Sequence, residues 1–295
     1  MIKSKKLVFF GTEEFSAPSL IRLIAGHYPL AAVVTKPDAR SGRGQKLKVP
    51  KVVHLAEEAG IKTLQPQKPS EVIPDLKRME ASYGVLVSYG KILPQELIDI
   101  FPGGIINVHP SLLPAWRGPS PIEATILSGA KKTGVSLMQL TAEMDAGPVY
   151  VQKAVDVALG IDKDFLSTQL AEVGAELLLD KLPAIISGQL RAQPQDDSKA
   201  SYTQLLRKQD GLIDWKAETA EQIERKVRAY QKFPKTTAQV WGKHEIIITK
   251  ARLALSPDDG SLVQETKQGY IEILELIAPS GRLVSGSDFI RGYKR

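Results

Sequence analysis

Three polar side chains carry the strongest chemical signal in this 295-residue chain. Asn107 and His109 stand two positions apart in the extended run Gly104-Ile-Ile-Asn-Val-His-Pro110. Side chains alternate along a strand, so both point to the same side. Pro110 has no N–H to give and ends the ladder. The pair therefore sits at the mouth of a strand, where open α/β sheets bind ligands. Asp145 lies two residues before Gly147, ahead of another apolar run. By itself an Asp there reads as a turn residue. Beside an imidazole, a carboxylate fixes the tautomer and favours the charged ring. A directional hydrogen-bond donor next to a proton carrier suits attack on a carbonyl carbon.

The elements that must position these residues alternate in type. Residues 7–10, 30–35, 84–88 and 104–109 read as strands, short and apolar on both faces, as in a parallel sheet. Helices are predicted over 16–25, 50–59, 70–79, 121–127 and 164–186. Residues 135–140 and 149–157 read as later strands paired near an edge. This βαβ alternation predicts an α/β fold with a doubly wound, mostly parallel, Rossmann-like sheet. Composition changes after Gly188. Residues 189–205 are polar and read as a linker between a domain at 1–188 and one at 206–295. The second domain shows short strand signals at 211–215, 237–241, 245–254, 270–277 and 288–291, with one helix at 218–230. Several short strands at close spacing predict a small β-barrel.

Composition excludes other classes. The chain has no cysteine, so disulfide and thiolate chemistry are absent. The short apolar start reads as a first strand rather than a targeting or membrane segment, which predicts a cytoplasmic protein with no membrane partner. No His/Asp/Glu grouping has metal-ligand spacing, so no metal is predicted. His27, His54 and His244 read as surface or packing residues. There is no G-x-S-x-G elbow and no G-x-G-x-x-G after the first strand, which argues against a nicotinamide site. The net charge of +6 is local. Between Lys36 and Lys51 six basic residues face one acid, in a loop. That pattern fits either a solvated surface or a polyanionic partner.

Asn107-x-His109, the following Ser111-Leu-Leu-Pro-x-x-Arg117-Gly118, and Asp145-x-Gly147 together resemble the formyltetrahydrofolate-dependent formyltransferases. Phe9-Phe-Gly-Thr-x-x-Phe15, Val34-Thr-Lys-Pro-Asp38, Gly42-Arg-Gly-Gln-Lys-Leu47, Ile213-Asp-Trp215, Ala278-Pro-Ser-Gly-Arg282 and Asp288-Phe-Ile-Arg-Gly292 resemble the members that act on charged initiator tRNA. The resemblance covers nearly the whole chain. One departure is Gln231-Lys-Phe-Pro-Lys235, where the family usually carries an Asn-Pro-Trp-Pro-Gly-like turn.

The resemblance implies a catalytic first domain and an OB-like C-terminal barrel that helps hold tRNA. It implies transfer of the formyl group of 10-formyltetrahydrofolate to the amino group of methionyl-initiator tRNA, by a monomer. Asn107 would donate to the oxyanion, and His109 would move protons with Asp145 orienting it. The folate would lie against Ser88, Tyr89, Gly90, Lys91, Ile92 and Leu93, the turn Ser111, Leu112, Leu113 and Pro114, and the loop bearing Thr141 and Met144. The tRNA would meet Arg40, Arg43, Lys46 and Lys48 on the basic loop, and Lys208, Arg225, Lys226 and Arg228 on the second domain. Alternatives sharing the same trio are formyl transfer to a small amine and hydrolysis of formyltetrahydrofolate. A non-enzymatic RNA-binding protein would lack a use for it.

Overall fold

A computed structural model describes residues 5–41, 46–257 and 260–293. The chain forms two compact units. The first comprises Met1–Pro119, Lys132–Asp156 and Ser167–Thr203. The second comprises Ser120–Lys131, Val157–Leu166 and Gln204–Arg295.

The first unit is built on β1 (Leu7–Gly11), β2 (Leu30–Val34), β5 (Thr63–Leu64), β6 (Tyr83–Val87), β7 (Ile105–His109), β8 (Lys132–Gln139) and β9 (Val149–Asp156). They form one sheet in the order β5-β2-β1-β6-β7-β8-β9. The first five run parallel, while β8 and β9 add antiparallel at one edge. A separate hairpin joins β3 (Ala39–Ser41) to β4 (Lys46–Lys48).

Burial explains the apolar runs. Every residue of Leu7–Gly11 is buried, so both faces of the sheet are covered. One face packs Val8, Phe10 and Val34 against Ile73 and Leu76 of α3 (Ile73–Met79) and Leu97 of α4 (Gln95–Ile98). On the surface, Arg22 of α1 (Ala17–Ala25) pairs with Glu172 of α6 (Lys163–Ile186) at 2.6 Å. Between them α2 (Lys51–Glu58) follows the basic loop. Helix α3 begins with Pro74 in its first turn, where the missing N–H costs nothing. Strand order reverses beside β1: the chain runs outward to β2 and β5, then returns to β6 and β7. Open sheets bind ligands at such a reversal. No helix among the described residues is long and apolar enough to cross a membrane.

The second unit holds β10 (Thr236–Val240), β11 (His244–Ala254), β12 (Val263–Glu265), β13 (Tyr270–Ile277) and β14 (Leu283–Ser285). They form one antiparallel sheet in which β11 and β13 make the longest pairing. Among the described residues no ladder joins β10 to β12 or β14, so the sheet stays open where the sequence pattern predicts a barrel. Helix α7 (Ala220–Ala229) starts at Thr219, whose hydroxyl accepts from the Gln222 N–H while the Gln222 side chain returns to Thr219 N. Helix α5 (Pro121–Ser128) belongs to this unit, and its buried Glu123 pairs with Lys163 at 2.6 Å.

Two strand expectations fail here. Residues 211–215 form no strand: Leu212 makes only an isolated bridge to Thr237, Ile213 N–H donates to the Thr237 oxygen at 2.9 Å, and Trp215 Nε1–H donates to the Gln239 oxygen at 2.8 Å. Residues 288–291 lie inside the helix α8 (Gly286–Tyr293). The four-residue spacing of Phe289 and Tyr293 is helical, and their rings stack at 4.6 Å with Phe289 fully buried. Read over four residues, apolar content alone does not separate helix from strand.

Candidate active site

The last residues of β7 carry Asn107 and His109, both about 5% exposed. β7 lies between β6 and β8, with Asn107 opposite Met138 and His109 opposite Ser136. The loop after β8 turns back over this strand end. Gly147 makes the return feasible: a Cβ there would run into the Gln139 carbonyl oxygen. The loop sets Asp145 at φ +50°, in the left-handed region.

The three side chains converge. Asn107 Nδ2 lies 3.5 Å from Asp145 Oδ1, and His109 Nδ1 lies 3.7 Å from the same oxygen. Asp145 Oδ2 accepts from the Gly118 N–H at 2.8 Å. On the far side of the ring, His109 Nε2 is 3.0 Å from the Trp116 carbonyl oxygen. A carbonyl can only accept, so Nε2 carries the hydrogen and the neutral ring keeps its lone pair on Nδ1, towards Asp145. Protonation at Nδ1 would leave both ring N–H groups facing oxygens.

The loop carrying the Trp116 oxygen is itself pinned. Trp116 sits at φ +60° and Gly118 at φ +109°, where a Cβ would meet the Thr203 oxygen at 2.6 Å. Between them Arg117 is 2% exposed. Its guanidinium reaches Asp197 Oδ1 at 2.6 Å, the Tyr202 hydroxyl at 3.2 Å and the Gln195 side-chain oxygen at 2.9 Å. Burial would lower its pKa, but the hydrogen bonds to Asp197 and Tyr202 outweigh that, and it is held above its ordinary value. Gln195 and Asp197 lie in the polar stretch that reads as a linker. Nothing in their spacing marks them, because their partners are 48 to 80 residues away.

The expected folate-facing residues divide. Ile92 and Met144 are 79% and 55% exposed. Each is an apolar side chain presented by a loop, one after β6 and one after β8. Leu93 and Leu140 join one apolar cluster, which brings the roots of those two loops together. Lys91 Nζ is engaged by the Pro66 and Gln67 oxygens, while Ser88 takes φ +47° and Gly90 φ +70°. The Tyr89 ring is buried against Phe10 with centroids 5.8 Å apart, and its carbonyl oxygen accepts from Thr12. Ser111 is likewise internal, donating to the Ala115 oxygen, and Leu113 is buried. Leu112 packs at Gly134, and the Thr141 hydroxyl bonds the Glu143 oxygen. A cavity of about 490 Å³ is lined by Leu113, Pro114, Gln152 and Gln195 rather than by Asn107 or His109.

The expected tRNA-facing cations also divide. Arg43 lies outside the described residues, and of Arg40 and Lys46 only the backbone, in β3 and β4, is described. Lys48 and Lys208 are exposed. Three others are turned to internal uses. Lys226 pairs with Glu218 at 2.5 Å and donates to the Leu212 oxygen. Arg228 grips Glu224 with two bonds of 2.6 and 2.8 Å and donates to the Ile161 oxygen. Arg225 pairs with Glu221 at 3.2 Å. Helical i,i+4 spacing explains the last two pairs.

A formyl transferase family model matches residues 5–182, and a formyl transferase C-terminal domain model matches residues 205–294. The chain belongs to the formyl transferase family. A methionyl-tRNA formyltransferase of Herpetosiphon aurantiacus is 37% identical over 301 residues, covering 98% of each chain. The N-formyltransferase of Helicobacter canadensis, solved with folinic acid and dTDP-3-aminofucose, superposes with a TM-score of 0.71 at 18% identity, covering 91% of this chain and 98% of that one. HypX of Aquifex aeolicus, solved with tetrahydrofolic acid, gives a TM-score of 0.68 at 15% identity, covering 97% of this chain. This formyl transferase chain spans 46% of the length of HypX. At such identities the two superpositions establish the shared fold.

Proposed function

We propose that this protein transfers the formyl group of 10-formyltetrahydrofolate to the amino group of methionyl-initiator tRNA, in the cytoplasm, where charged tRNA is found. The carrying observation is the convergence of Asn107, His109 and Asp145 at one strand end in a chain 37% identical, end to end, to a protein of that name. The residues present also fit the folate. Exposed Ile92 and Met144 suit a flat ring system, and the polar trio at the end of β7 suits a reacting carbonyl.

When bound, 10-formyltetrahydrofolate supplies a formamide carbon open to an amine. The chain supplies the rest. Asn107 offers side-chain N–H groups to an oxygen gaining negative charge, a donation worth about 3 kcal/mol in comparable sites. His109 Nδ1 is the atom that takes a proton from the attacking amine and passes it to the folate nitrogen, which leaves as its bond to the formyl carbon breaks. Its Nε2–H stays on the Trp116 oxygen, and Asp145, 3.7 Å from Nδ1, balances the charge. The Gly118 N–H keeps Asp145 from swinging away. The basic segment from Lys36 to Lys51, with Lys48 exposed, and Lys208 on the second unit are the cations offered to the phosphate backbone.

The test is a formylation assay with 10-formyltetrahydrofolate and three acceptors: charged initiator tRNA, charged elongator tRNA, and small amines. Formyl-methionyl-tRNA, made in preference from the initiator, is the expected product. Faster turnover of a small amine, or formate release without any acceptor, would overturn the assignment.

A further inference from the structure

One side chain touches both loops of the site, and it lies in the polar segment after α6. Gln195 Nε2 donates to the carbonyl oxygens of Asp145 and Gly147, at 2.8 and 2.7 Å. Its Oε1 accepts from Arg117 Nε and Nη2, at 3.1 and 2.9 Å. Arg117 follows Trp116, whose oxygen faces His109, and precedes Gly118, whose N–H holds Asp145. The same segment grips the Arg117 loop elsewhere. Ser201 Oγ accepts from Trp116 N at 2.9 Å, and Ser201 O accepts from Arg117 N at 2.8 Å.

We propose that Gln195 is a positioning residue for formyl transfer: it fixes the Asp145 loop against the Trp116–Gly118 loop and so sets the Asp145 carboxylate on Asn107 and His109. The inference rests on the reading of Asp145 as part of the catalytic machinery. Its chemistry demands a side-chain amide. The two loop carbonyls need donors, while the Arg117 guanidinium, which only donates, needs an acceptor. A carboxylate at position 195 would satisfy Arg117 and turn a second oxygen on the carbonyls. The geometry at Asp145 also needs an outside hold. A non-glycine residue at φ +50° persists only where its surroundings over-determine it. Gln195 supplies two of those determinants, and the Gly118 N–H a third.

The test compares Gln195→Glu and the similarly sized, apolar Gln195→Met with wild type, in wild-type and Asp145→Asn backgrounds. A displaced catalytic group costs on the order of 100-fold, so kcat for formylation should fall roughly 10–100-fold with the KM for tRNA unchanged. In the Asp145→Asn background the same substitutions should change residual kcat by less than about twofold, because coupled sites are not additive. A merely structural role would lower the melting midpoint in both backgrounds and leave kcat per folded molecule alone. The imidazole nitrogen resonances of His109, identified by their loss in His109→Ala, should move in Gln195→Glu without any substrate present. Unchanged resonances with unchanged kcat, or equal losses in both backgrounds, would overturn the inference. If wild type makes no formyl-methionyl-tRNA, the functional reading falls, and the resonances still decide the role of Gln195. If Gln195→Glu does not fold, Gln195→Met carries both measurements.

Discussion

At the scale of single residues the site works by limiting what each polar atom can do. His109 Nε2 is committed to a carbonyl and Asp145 Oδ2 to a backbone N–H, which leaves Nδ1 and Oδ1 facing each other beside Asn107. Asn107→Ala, His109→Ala and Asp145→Asn should each cut kcat by about 100-fold or more, while the Kd for tRNA stays near wild type. Steady-state kinetics paired with a filter-binding titration checks this. Near-full turnover in all three would remove the trio from the mechanism. Tyr89 shows burial acting on a titratable group in the opposite sense. Burial pushes its phenol up to about 12, and its hydroxyl has no hydrogen-bond partner among the described residues. The unfolded phenol ionises near its ordinary value of 10. The folded pKa is the raised one, so the stabilising contribution is complete below pH ~10 and is lost as pH climbs through ~12. Tyr89→Phe should be neutral or slightly stabilising at pH 7 and should flatten the alkaline loss of stability, by about 2 kcal/mol at pH ~12. Denaturant melts across that range measure it, and an unchanged alkaline slope would contradict it.

At the scale of elements, the strand ends and their return loops carry the constraints. Gly118 and Gly147 stand where backbone oxygens leave no room for a Cβ. Lys235 is the converse case. It takes φ +69° in the turn between α7 and β10, where the family resemblance expects glycine. A left-handed L-residue costs about 1–2 kcal/mol. The extra unfolded-state freedom of glycine offsets about 0.5–1 kcal/mol of that. The difference favours glycine, so Lys235→Gly should raise stability by up to about 1 kcal/mol, read as a higher melting midpoint. A lower midpoint would mean that the Lys235 side chain contributes more than its backbone costs. The same scale explains which elements were legible. Strands β1, β2, β6 and β7 are continuous apolar runs bounded by turn residues, and they form where the pattern puts them. The segment at 288–291 was ambiguous, because four residues do not establish a period and the deciding contact is with Tyr293.

At the scale of the molecule, charge is distributed for a polyanion more by sequence position than by total. Sixteen basic residues oppose twelve acidic ones from residue 206 onward, yet Arg225, Lys226 and Arg228 are paired internally. On the proposed function, the basic segment from 36 to 51 is therefore the stronger candidate for phosphate contacts. Apparent affinity for tRNA should fall steeply with salt, losing about one unit of log–log slope for each phosphate contact removed. Arg43→Ala should raise the KM for tRNA and reduce that slope, with folate binding unaffected. A salt-independent KM, or an Arg43→Ala enzyme with wild-type tRNA dependence, would take the segment out of the account.

What the sequence determined by itself was local: the alternation of elements, the same-side placement of Asn107 and His109, and the glycines that permit tight returns. Each follows from neighbours a few residues apart, where backbone sterics and strand periodicity act directly. What only the tertiary structure decided was partnership. Gln195 meets Asp145 across 50 residues and Arg117 across 78, the Tyr89 ring turns into the core, and Arg228 is drawn to the Ile161 oxygen. Such pairings arise from which surfaces the packed elements bring together, and no spacing rule along the chain encodes them.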